Sequence, residues 1–104
     1  MFRGIMLFGC FALSSFCFAA RTNCPASKID QVQIEGQKIL YKQDNAPWRT
    51  LGRLDNEDGT RERYAALLAA QLSGRQVTVA YAVDGYDCTV TDYATAAYIV
   101  RVYK

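Results

Sequence analysis

Trp48, Tyr86 and Tyr93 are the side chains in this sequence best suited to a binding surface. Trp48 follows a turn proline, and Tyr86 and Tyr93 fall in segments expected to be loops. Tryptophan and tyrosine join a flat apolar face to a polar tip, which suits contact with sugars and proteins. The chain has seven tyrosines and a single tryptophan; Tyr64 and Tyr81 sit where the core is expected. Asp84, Asp87 and Asp92 surround Cys88. Short acids in such a setting bond their own backbone and shape turns; the alternative is a weak calcium or substrate site. Asp55-Asn56-Glu57-Asp58-Gly59 superficially resembles a calcium loop, but the position that requires a glutamate is Ala66. Its acids suit a helix N-terminus instead.

Other chemistry is excluded by residue type. The chain contains no histidine, so Ser-His-Asp and Cys-His nucleophilic arrangements and histidine metal sites are absent. Gly36, Gly52, Gly59, Gly74 and Gly85 are isolated, which leaves no glycine-rich phosphate loop. Paired carboxylates of the glycosidase kind are not excluded by spacing, but a domain of this size has little room for the cleft they need. The expectation is a protein that is not an enzyme and carries no cofactor and no metal.

The first residues read as an address. Arg3 is followed by the apolar run Ile5 to Leu13 and then by Ser14-Ser15-Phe16-Cys17-Phe18-Ala19-Ala20. That is the order of a secretory signal peptide, with the best cut after Ala19. Domain bounds are therefore 1–19 for a cleaved signal and 20–104 for one small domain of about 85 residues. A retained anchor and a lipoprotein built on Leu7-Phe8-Gly9-Cys10 are the alternatives; the apolar run is short for both. Secretion or periplasmic residence follows, with no membrane attachment after cleavage. Cys10 and Cys17 leave with the signal, so Cys24 and Cys88 remain. In an oxidising compartment they are expected to form one disulfide; two free thiols or intermolecular bridges are the alternatives. Eleven Lys/Arg then face ten Asp/Glu with neither sign clustered. A nucleic-acid partner would call for a basic stripe.

Hydrophobic period supplies the elements that must hold these residues. Lys28 to Glu35 alternates as a strand, with Asp30, Val32 and Ile34 on one side and Gln31, Gln33 and Glu35 on the other. Gly36 breaks it. Lys38 to Lys42 is a second strand, Gln43 to Pro47 a turn, and Trp48 to Leu54 a third strand with Leu51 between Arg49 and Arg53. Arg61 to Ser73 reads as a helix, with Tyr64, Leu67, Leu68 and Leu72 as one apolar face and Gly74 as the C′ glycine. Gln76 to Val83 is the clearest strand, with Val77, Val79, Tyr81 and Val83 on one face. Asp84 to Asp87 is a turn, Cys88 to Asp92 a short strand or loop, and Ala96 to Tyr103 a last strand. The order β-β-β-α-β-β gives a mainly β fold with one helix, and a small five-stranded OB-like barrel is the architecture expected of it.

The string from Tyr64 to Val79 has the form Y-x-x-LL-x-A-x-x-SG-[KR]-x-V-x-V. A tyrosine-rich turn, Cys88 and the ending Tyr98-Ile99-Val100-Arg101-Val102-Tyr103 follow. Over residues 60 to 104 this resembles small exported bacterial proteins similar to the binding (B) subunits of subtilase-cytotoxin and pertussis-like toxins. The resemblance implies an OB barrel with a packed helix, and assembly of copies into a ring. No glycan-contact residue of that family falls on a matched position here. The expected function is an exported binding module that meets a glycan or a protein through loop aromatics. The alternative is a periplasmic structural or inhibitory protein acting by protein contact. Single-stranded nucleic acid, a frequent OB-fold ligand, is set aside by export and balanced charge.

Overall fold

The computed structural model describes residues 21–104. The expected signal at 1–19 lies outside the described residues. The chain order is β1 (Thr22–Asn23), β2 (Ser27–Glu35), β3 (Lys38–Gln43), β4 (Trp48–Arg53), α1 (Thr60–Ser73), β5 (Gln76–Tyr81) and β6 (Ile99–Val102). Among the described residues the fold is mainly β with one helix. The strands pair antiparallel in one six-stranded sheet, in the order β1-β5-β2-β3-β4 with β6 also on β5. The sheet does not close into a barrel. Its far edge nevertheless meets the segment before β6. Asp92 N–H donates to Trp48 O (3.1 Å) and Ala97 N–H to Leu51 O (2.9 Å). A lone parallel bridge pairs Arg49 with Asp92.

Local chemistry explains the turns. Glu35 pairs with Lys38 across a two-residue turn, and Gly36 takes φ 60° there, a conformation a hairpin turn needs and glycine adopts freely. Asn45 takes φ 60° between β3 and β4; asparagine tolerates this region better than most residues. The helix begins where the Asp58 carboxylate accepts from the Thr60 amide (3.2 Å) and hydroxyl (2.6 Å). It ends at left-handed Gly74, where Arg75 N–H reaches Ala70 O at 3.0 Å.

Two bulges alter the expected faces. The β2–β3 register shifts between Ile29 and Gln31, which makes Asp30 an extra residue and reverses alternation. Ile29 and Val32 therefore point to the core, opposite Gln43 and Tyr41, while Asp30 is exposed. Asp30 does not share a face with Val32. A second shift at Leu51 lets Arg49 and Leu51 enter the core while Arg53 stays outside. The helix face also differs from its expected centre. Thr60, Leu67 and Ala70 are buried, whereas Leu72 is 88% exposed. Leu67 and Leu72 are five residues apart, so at 100° per residue they point about 140° apart.

The core gathers Ile39, Tyr41, Leu51, Leu67, Val77, Val79 and Tyr81. Both faces of β5 are covered, since Thr78 and Ala80 are buried too; the strand ends at Tyr81 and leaves Val83 in the connection. The helix packs against β2, β4, β5 and β6. Cys24 and Cys88 are disulfide-bonded. The bridge fastens the N-terminal segment to the long β5–β6 connection, which contains no strand of its own.

Candidate ligand groove

The outer face of the β2–β3 hairpin carries Gln33, Glu35, Lys38 and Leu40. Trp48 at the start of β4 and Tyr93 from the β5–β6 connection complete a groove of about 370 Å³. That is at the small end of the range for ligand sites. Leu40 is only 3% exposed, so the floor is apolar. Gln33 Nε2 donates to Glu35 Oε2 at 2.6 Å, and Lys38 Nζ donates to Tyr93 O at 2.9 Å. The groove thus offers two aromatic rings, a carboxylate, an amide and an ammonium on one surface. Such a set can stack on a sugar ring and hold its hydroxyls.

Tyr93 reaches this place through a chain of contacts. Asp92 N–H donates to Trp48 O at 3.1 Å, and the Thr50 hydroxyl donates to Asp92 O at 3.0 Å. The Asp92 carboxylate accepts from the amides of Ala94 (2.9 Å) and Thr95 (3.1 Å) and from the Tyr86 hydroxyl (2.8 Å). Burial pushes the Asp92 carboxyl up, but these donors outweigh it and hold it below the usual carboxylate range. Asp87 works in the same manner on Thr89, through its amide (2.9 Å) and hydroxyl (2.5 Å).

Of the aromatics singled out in the sequence, Trp48 and Tyr93 line one groove and Tyr86 does not. Tyr86 stacks on Tyr81 with ring centroids 4.0 Å apart and planes 11° apart. It buttresses Asp92 from behind and so sets where Tyr93 stands. Gln33, Glu35, Lys38 and Leu40 were not singled out. A signal was present, because Gln33 and Glu35 already alternate onto the polar side of their strand.

Behind the groove lies a tyrosine cluster. The Tyr41 and Tyr81 hydroxyls share a hydrogen bond of 2.7 Å, and Tyr81 donates to Thr50 O at 3.0 Å. Burial raises Tyr41 to about 12, and burial likewise raises Tyr81 and Tyr86. A raised phenol stabilises the fold fully below its unfolded value of about 10 and loses that contribution as pH rises through the folded value. Stability is therefore expected to fall from about pH 10 upward. In a joint tyrosinate-absorbance and circular-dichroism titration, these three phenols should ionise only as structure is lost. Ionisation of all seven tyrosines near pH 10 in a folded protein would contradict this.

A larger depression of about 530 Å³ runs from Leu54 to Glu62. Its wall is more polar than apolar, and Asp55 is already engaged by Arg53 at 2.9 Å. Among the described residues no group of three His, Cys, Asp or Glu side chains is placed to hold a metal ion, and no helix is long and apolar enough to cross a membrane. The chain has no significant match to a protein-family model, a curated protein or a solved structure.

Proposed function

We propose that the chain is an exported, non-enzymatic module that binds a glycan in the Trp48–Tyr93 groove. The observation that carries this reading is the meeting of those two rings with Gln33, Glu35 and Lys38 on one surface. Aromatic faces cover the apolar side of a sugar, and the polar groups take its hydroxyls. The architecture is read as OB-like. In support, β4-β3-β2-β5-β6 are consecutive neighbours, the helix falls between the third and fourth of the long strands, and the Asp92–Ala97 segment touches β4 where closure would occur. Ring assembly of the kind found in toxin B subunits belongs to the same proposal.

Trp48→Ala is expected to weaken binding of a glycan-array hit at least tenfold, about 1.4 kcal/mol. Tyr98→Ala, an exposed aromatic outside the groove, should leave it unchanged. Equal loss in both variants would remove the groove from the account, and a monomer with no glycan hit would remove the toxin-like version.

A protein-contact role, periplasmic and structural or inhibitory, is favoured by a separate observation. Tyr98, Val102 and Tyr103 are exposed along the C-terminal segment. A pull-down from periplasmic extract in which Tyr98→Ala abolishes capture would favour that reading.

A further inference from the structure

Arg49 is the most anomalous side chain among the described residues. It is 1% exposed, the largest fully buried side chain among those residues. Burying a charge costs several kcal/mol unless the charge is paired, and arginine, unlike lysine, does not escape by losing its proton. Its only hydrogen-bond partner among the described residues is a neutral amide, since Nη2 donates to Gln43 Oε1. The Tyr41 ring lies 5.3 Å from the guanidinium carbon. The ion pairs of the described residues join Lys42 to Asp30, Arg53 to Asp55 and Arg63 to Asp58; none includes Arg49. Among the described residues Nε and Nη1 are buried without a hydrogen-bond partner. Those two atoms carry three of the five guanidinium donors.

A cavity of about 360 Å³ meets this side chain. Pro25, Ala26, Ala46 and Pro47 give it apolar walls, and Gln43, Arg49, the bridged Cys88 and Thr89 also line it. The exposed Asp44 also lines it, but makes no ion pair with Arg49.

We infer that this cavity is a second binding site, separate from the groove, that takes a small organic carboxylate with its acid group on Arg49 and its apolar part against Pro25, Ala26 and Pro47. A carboxylate supplies the counter-charge and acceptors that Nε and Nη1 lack, and charge-assisted bonds of this kind are the strong ones. The apolar walls favour an organic acid over an inorganic ion. Both nitrogens are screened from bulk water, so a small displacement of the wall is part of binding.

The test compares butyrate and hexanoate with their amides, using thermal shift and calorimetry on the disulfide-bonded protein. The acids are expected to bind saturably and at least tenfold more tightly than the amides, and to raise Tm. Arg49→Met should abolish that shift while the unliganded protein holds or gains stability, because it replaces an unpaired buried charge with an apolar chain. Binding of a short peptide only when its C-terminus is free would support the same seat with a peptide as the source. Equal effects of acids and amides, equal effects of sulfate or phosphate, or an acid response that survives in Arg49→Met would overturn the proposal. The acid–amide comparison on the unaltered protein decides the matter even where the variant does not fold.

Discussion

Replacing Cys24 and Cys88 with serine, or reducing their bridge, is expected to lower the unfolding free energy by about 4 kcal/mol. The two residues are 64 apart in sequence, so the bridge removes the freedom of a long loop from the unfolded chain. Small domains have only about 5–15 kcal/mol in total. A loss of this size corresponds to a fall in Tm of roughly 15–30 °C. It should also reach the groove, because Cys88 lies in the same connection as Tyr86, Asp92 and Tyr93. Thermal melts with and without reductant check this, and a shift below about 5 °C would show that other contacts hold that connection.

Leu67→Ala is expected to cost about 3 kcal/mol, within the range for emptying a packed leucine site, whereas Leu72→Ala should change stability by less than about 0.5 kcal/mol. Leu67 is fully buried under the sheet, and Leu72 is 88% exposed on the same helix. Leu67 belongs to one buried cluster with Ala70 and Val77, and a core packed on regular backbone cannot collapse into the gap at little cost. Urea unfolding of the two variants measures the contrast directly. Similar losses in both would mean that the helix docks by a different face.

That contrast shows what the sequence did and did not reveal. The helix itself was legible, because alanine-rich composition, acids at its start and Gly74 at its end agree with one another. Its buried face was not, because Tyr64, Leu67, Leu68 and Leu72 span too wide an arc for all to reach the sheet, and small Ala70 takes a central place. Strand positions were legible from alternation. The bulges at Asp30 and Leu51 were not, since nothing in residue type marks a shifted register. The Leu51 bulge separates Arg49 from Arg53, putting one in the core and the other in solvent. β1, only two residues long, is too short to show a period. The Cys24–Cys88 pairing followed from cysteine count once export was assumed. Trp48 and Tyr93 could be singled out by type, but Tyr86 has the same chemistry and packs against Tyr81. A tyrosine in a loop does not announce whether it faces solvent or its neighbours, and long-range contacts decide it.

The most direct test of the glycan reading uses the emission of Trp48, the only tryptophan in the chain. Titration with glycans should give a saturable change in intensity and wavelength for a bound sugar, and Tyr93→Ala should weaken that response at least tenfold. A glycan that binds by calorimetry while Trp48 emission stays unchanged would place its site elsewhere and contradict the assignment of the groove.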